Sequence, residues 1–238
     1  MQLLHDLVST AATIAPQRLA VVSADGTTAT FEEFNRQVRA VAGWVAGHTR
    51  PRDRVAVIAD NSVAYAHLYY GVPRSGRVLV LINQRLSPGE QAAQLASTGP
   101  AIVVGDSHYL AALPDIADQV PSIQRVVELD SDEWSLATQD EPRVSESPRP
   151  DDPAWLLFTS GSTGTPKEVV HTHRSLLAAV PVNTRADRSL RAVSISSPSR
   201  CVTSPDTTCS FTTQRSRRWC SRRTFVRQAS QSSSLHTV

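Results

Sequence analysis

Leu156-Leu157-Phe158-Thr159-Ser160-Gly161-Ser162-Thr163-Gly164-Thr165-Pro166-Lys167 runs an apolar strand straight into hydroxyls and glycines and closes on one lysine. Glycine lets backbone N–H groups approach an anion closely and adopt positive φ. Ser and Thr add hydroxyl donors that rotate to suit it. Lysine adds a compact cation on a flexible stem. Together these donors suit a polyphosphate. The stretch holds no good general base, so its chemistry is binding and electrostatics. The spacing is not that of a Walker A loop, because Lys167 follows Pro166 and Glu168 stands where a hydroxyl belongs. The spacing argues against a P-loop kinase or GTPase.

Working outward, apolar strands alternate with amphipathic helices. Arg18–Val22 and Thr28–Thr30 read as strands about an Asp25-Gly26 turn. Thr30 and Glu33 form a capping box, and Phe31, Phe34, Val38, Val41, Ala42 and Val45 recur at helical spacing. Val55–Ile58 predicts a buried strand, followed by a helix capped by Asn61 and ending near Gly71. Val78–Ile82 is the next strand. Ser87-Pro88-Gly89-Glu90 starts a helix that should stop at Gly99. Ala101–Val104, Ile123–Leu129 and Ala154–Thr159 complete the strands, with residues 130–152 as a surface connection. This order predicts an α/β fold: a mostly parallel sheet covered by helices on both faces.

Composition divides the chain. Residues 185–238 carry ten Arg against two Asp and all three Cys, whereas the preceding residues hold 14 basic and 20 acidic side chains and all ten Gly. We therefore expect two regions, 1–184 as the folded domain and 185–238 as a disordered Arg/Ser-rich tail. Three irregularly spaced Cys fit neither a disulfide framework nor a zinc pattern. The opening residues predict no secretory leader, and the longest apolar run, Val78–Ile82, is too short to span a bilayer. The expectation is a cytoplasmic protein with no transmembrane segment and no metal site. His171 and His173, flanking Thr172, are read as strand-end or substrate-side residues. Trp44, Tyr65, Tyr69 and Tyr70 are read as packing, and Arg36, Arg39, Arg50, Arg52 and Arg54 as solvated surface.

Thr159 to Lys167 resembles the signature of the adenylate-forming (AMP-binding) superfamily, which includes acyl-CoA synthetases, luciferases and peptide-synthetase adenylation domains. Asp152-Pro153-Ala154 before the strand, Val169–Leu176 after the loop, Thr30–Phe34, Asp53–Val57 and Gly76–Asn83 are similar to family segments. The likeness covers about residues 1–184 and reads closest to an acyl-CoA synthetase or fatty-acid–CoA ligase. The resemblance implies that a small carboxylic acid attacks the α-phosphate of Mg2+-bound ATP, giving an acyl-adenylate that coenzyme A captures as a thioester. It implies that Thr159, Ser160, Gly161, Ser162, Thr163, Gly164 and Lys167 hold the β- and γ-phosphates, where preorganised donors stabilise charge moving onto pyrophosphate. It assigns no catalytic residue here.

Three positions depart from the family pattern: Glu168 replaces a glycine, Leu81 a proline, and Arg77 a small residue. Two like unit charges about 4 Å apart cost about 4 kcal/mol at an effective dielectric of 20. Glu168 must therefore point away from a bound triphosphate or weaken its binding. The family's downstream acyl-pocket, ribose-binding and lid motifs have no counterpart in residues 185–238. We therefore expect an N-terminal fragment that is inactive as written and that exposes apolar sheet surface. Read one base out of frame, Ile195–Val202, Val202–Cys209 and Ala229–Val238 permit family-like strand, His-containing and helical segments. This points to a frame shift between about Asn183 and Ser194. The alternative readings are a non-catalytic pseudoenzyme, or a module binding nucleic acid through the basic tail; the tail is not taken as favouring that partner.

Overall fold

The computed structural model describes residues 3–23, 26–139, 148–159, 166–184 and 193–194. In chain order the elements are α1 (Asp6–Ile14), β1 (Leu19–Val22), β2 (Thr28–Thr30), α2 (Phe31–His48), β3 (Arg54–Ile58), α3 (Val63–Arg74), β4 (Val78–Leu81), α4 (Pro88–Thr98), β5 (Ile102–Gly105), α5 (Ser107–Ala111), α6 (Ile116–Gln119), β6 (Arg125–Glu128), α7 (Asp132–Ala137), β7 (Pro153–Thr159), β8 (Lys167–Thr172), α8 (His173–Thr184) and β9 (Val193–Ser194).

The main sheet has the order β6-β5-β3-β4-β7-β8. Every pairing in it is parallel except β7 with β8. β3, β4 and β5 are nearly all apolar because both of their faces are covered. On one face Val55, Val57, Leu79, Ile102 and Val104 pack with Val41 and Val45 of α2, Leu68 and Val72 of α3, and Trp134 of α7. On the other, Ala56, Ile58, Val80, Val103 and Leu156 pack with Leu95 of α4, Leu110 of α5 and Ile116 of α6. A smaller sheet, β2-β1-β9, sits over a third cluster in which Val8 of α1 and Phe34 and Val38 of α2 meet Val21 and Ala29. Its pairing with β9 reaches nine residues or more beyond Thr184, the boundary expected for the folded domain.

The predicted capping boxes at Thr30/Glu33 and Ser87/Glu90 are both formed, and Gly99 closes α4 in the left-handed conformation at φ +55°. Other local expectations need correction. Ser62, not Asn61, caps α3 by accepting from the N–H of Tyr65, and the helix runs past Gly71 to Arg74. Packing extends it: Val72, the residue after the expected stop, lies fully buried in the core. The stretch 130–152 is not wholly a surface connection, since Ser131 caps α7, whose Trp134 is buried in the main core. The short α5 and α6 and the N-terminal α1 were also unpredicted.

Arg77 and Leu81 are accommodated. Arg77 is 3% exposed, and its guanidinium lies among acceptors at the end of α2. Nε donates to Thr49 Oγ1 at 3.0 Å, and Nη2 to the carbonyls of Thr49 at 2.7 Å and Ala46 at 3.4 Å, while Nη1 donates to the Ser75 carbonyl. A buried cation is tolerated when its donors are used this fully. Leu81 occupies a ladder position between Val57 and Leu157, and unlike proline it carries a backbone N–H that can serve a ladder. Arg54, expected at the solvated surface, is half-buried and donates to the Thr98 carbonyl, tying β3 to the end of α4.

Candidate functional site

β7 leaves the parallel sheet pointing at the phosphate-type loop, and β8 returns from it antiparallel, forming a hairpin along the sheet's margin. The register is Leu156↔Val170, Leu157↔Val169, Phe158↔Glu168 and Thr159↔Lys167. Thr159 and Lys167 therefore stand opposite each other where the loop leaves and re-enters the sheet, both exposed. The Thr159 hydroxyl donates to the Lys167 carbonyl at 3.4 Å, bridging the hairpin at that point. The other predicted phosphate ligands, Ser160, Gly161, Ser162, Thr163 and Gly164, lie outside the described residues, as does most of the expected disordered tail.

Strand alternation resolves where Glu168 points. Successive side chains project to opposite faces, so Glu168 shares a face with Phe158 and Val170, while Lys167 shares one with Thr159, Val169 and His171. The carboxylate is thus directed across the sheet from the ammonium rather than alongside it. The residues present fit a nucleotide's phosphates: the cation and hydroxyl flank the loop mouth on one side, and the acid is turned to the other.

The hairpin is held at several points. Trp155 packs against Tyr69, and Tyr69 against Tyr65, with centroids 4.9 and 4.8 Å apart. The Trp155 indole N–H donates to the Tyr69 carbonyl at 3.0 Å. At the base, Arg174 grips Asp151 with two bonds, at 2.6 and 2.8 Å, and its N–H donates to the Pro150 carbonyl at 2.8 Å. Asp151 is thereby held below, and Arg174 above, its ordinary range. Thr172 and Ser175 exchange backbone-to-hydroxyl bonds that start α8. His173 is no ligand partner for His171: it is fully buried, with Nδ1 accepting the N–H of Leu4 at 3.2 Å. Burial holds its pKa below the ordinary 6.5.

A second polar group escaped the sequence reading. At the carboxyl ends of the adjacent strands β3 and β5, Asp106 accepts the N–H of Asp60 at 2.7 Å, and Tyr109 donates its hydroxyl to Asp60 at 2.9 Å. Burial raises the Asp106 carboxyl and, with the Asp60 bond, lifts Tyr109 to about 12. One potential ligand atom of His108 and one of each acid lie within 4.8 Å of one another, and one oxygen of each acid already serves an internal hydrogen bond. No local pattern in the sequence announces this group, because its members meet only when β5 is laid beside β3.

A mostly parallel sheet with a hydroxyl- and glycine-rich loop between its last two strands defines an α/β protein of the adenylate-forming kind. The chain belongs to the AMP-binding enzyme family, whose model matches residues 8–205. It is similar to an uncharacterised acyl-CoA ligase, YhfT, of Bacillus subtilis, at 32% identity over 177 residues, covering 74% of this chain and 35% of that protein. It is also similar to the long-chain-fatty-acid–CoA ligase FadD13 of Mycobacterium tuberculosis, at 36% identity over 132 residues, 53% of this chain and 26% of that one. The inhibitor-bound N-terminal domain of FACL13 from Mycobacterium tuberculosis superposes with a TM-score of 0.66 at 30% identity, covering 74% of this chain and 46% of that one. The chain thus spans about a quarter to a third of the length of these curated relatives. Among the described residues no helix is long and apolar enough to cross a membrane.

Proposed function

We propose that residues 1–184 form the phosphate-gripping N-terminal part of an ATP-dependent carboxylate-activating ligase, with Thr159, Ser160, Gly161, Ser162, Thr163, Gly164 and Lys167 as its β- and γ-phosphate ligands. The observation that carries this reading is the Thr159–Lys167 pair at the mouth of the β7–β8 loop, with Glu168 directed to the opposite face. The similarity to acyl-CoA ligases supports a carboxylic acid as the substrate, ATP with Mg2+ as the activating co-substrate and coenzyme A as the acyl acceptor. The whole reaction is acyl-adenylate formation followed by thioester formation, in the cytoplasm.

Within this scheme the chain's own part is to bind and orient the triphosphate. Lys167 supplies the positive charge, and the hydroxyls and loop amides supply directed donors. The matched stretches cover only 35% and 26% of these curated relatives, which supports the view that residues 1–238 alone grip nucleotide without completing the chemistry. Residues 185–238 are read as a frame-shifted tail, which the nucleotide sequence across codons 183–238, read in three frames, tests directly.

Titration calorimetry with Mg2+ and ATP, paired with carboxylate-dependent pyrophosphate exchange, tests the assignment. We expect binding that Lys167→Ala weakens by at least about tenfold, the equivalent of about 1.4 kcal/mol, and no exchange by residues 1–238. Affinity untouched by Lys167→Ala overturns the ligand assignment, and robust exchange overturns the inactivity of this polypeptide.

A further inference from the structure

The strand that carries Lys167 ends on a buried imidazole that is tied to the other end of the chain. His173 Nδ1 accepts the backbone N–H of Leu4, so that nitrogen carries no proton and the ring is neutral with its hydrogen on Nε2. Nε2 is buried without a partner. His5 stands edge-on to His173, with ring centroids 6.3 Å apart, and its own Nδ1 is also buried without a partner. Two imidazoles thus close the junction between the head of α1 and the start of α8, and neither has a place for a second proton.

The surroundings of the pair are mixed in charge. Asp6, in the first turn of α1, lies 3.7 Å from His5 Nε2 and favours the charged form of both rings, as Asp152 before β7 does for His173. Arg74, at the end of α3, opposes charge on His5. Burial is the largest influence on each ring and outweighs the acids, holding His5 down at about 4 and His173 below its ordinary value.

We propose that the His5–His173 contact is a proton-sensitive clasp, which on charging releases residues 3–14 from the start of α8 while the six-stranded sheet stays intact. A proton on His173 Nδ1 sets an N–H donor against the N–H of Leu4 and removes that hydrogen bond outright. A charge on both rings adds repulsion across 6.3 Å at a buried junction. The rest of the segment is held by three buried side chains, Leu4, Val8 and Ala11. Short elements with few buried contacts open locally, well below the free energy of global unfolding. The clasp lies at the far end of β8 from Lys167, so its state is reported along the strand that bears the phosphate-binding cation.

Hydrogen exchange of the full chain, read by peptide and corrected for intrinsic rates, tests the clasp. If His5 moves from about 4 to 6.5 on opening, linkage predicts roughly 20-fold less protection of residues 3–14 at about pH 5 than at about pH 7, with β3 and β5 unchanged. Unchanged protection of residues 3–14 overturns the proposal, and so does loss in step with β3 and β5. His173→Asn keeps an acceptor for the Leu4 N–H but cannot titrate. Combined with His5→Gln it should suppress the response, and a full response in that double variant overturns the proposal as well. The wild-type comparison decides the matter even if the variant does not fold.

Discussion

The indole N–H of Trp155 donates at 3.0 Å to the backbone carbonyl of Tyr69, four residues before Pro73 in α3. In a continuous helix the amide of residue 73 would bond Tyr69, and proline has none. The first strand of the β7–β8 hairpin is thus docked on α3 at the carbonyl that a residue-73 amide would otherwise engage. Trp155→Phe should cost about 1–2 kcal/mol, the loss of one buried bond. Pro73→Ala restores a competing amide, so the same substitution should cost measurably less in that background. Urea unfolding of the four-member cycle checks this, and strict additivity would refute the relationship.

Glu168 is expected to matter little to nucleotide affinity despite its place beside Lys167. It projects to the face of Phe158 and Val170. Glu168→Gly should change the affinity for Mg2+ and ATP by less than about threefold, because exposed charges across a strand are well screened. A gain of tenfold or more in calorimetry would place the carboxylate beside the phosphates instead.

Arg77 should behave as a buried cation whose removal leaves orphan carbonyls. Arg77→Ala strips donors from Ala46, Thr49 and Ser75 and opens a cavity, with an expected cost of about 3 kcal/mol in chemical denaturation. Arg77→Lys should recover only part of this, because one ammonium cannot span the same set of acceptors.

Stability should fall on acidification. His67 is buried with neither ring nitrogen partnered, and burial holds its pKa at about 3. Its folded pKa lies below its unfolded value of 6.5, so the stability it permits is complete above about 6.5 and is lost as pH falls towards 3. At about pH 5 the penalty for this residue is about 2 kcal/mol. His67→Phe, which offers its neighbour Phe34 another ring, should flatten this part of the pH profile of the denaturation midpoint. An unchanged profile would show that another group dominates.

Gly71 sets the distance between α2 and α3. A Cβ there would stand 2.8 Å from Val41 Cγ1 and 3.1 Å from the Val38 carbonyl. Gly71→Ala should therefore destabilise by about 1–3 kcal/mol although alanine is the better helix former. Val41→Ala in the same chain should relieve part of that cost.

The elements that announced themselves did so through short-range chemistry. Thr30 with Glu33, and Ser87 with Pro88 and Glu90, mark helix starts because a side chain three residues away satisfies a free amide. Val55–Ile58 and Val78–Ile82 read as strands because both faces must be apolar in a covered sheet. The loop from Thr159 to Lys167 pointed to the proposed phosphate grip because its donors are contiguous. All of these depend on residues within a few positions of one another, and so are determined by the sequence alone. The tertiary structure decided what depends on distant partners. It turned Trp134 inward, gave Arg77 its ring of carbonyls, tied Trp155 to α3 and buried His173 against Leu4. It also set Glu168 against Lys167 across β8, since only the β7–β8 register says which face each residue takes. Those contacts join residues separated by tens to more than a hundred positions, and no local pattern encodes them because the energy arises only when the sheet is assembled.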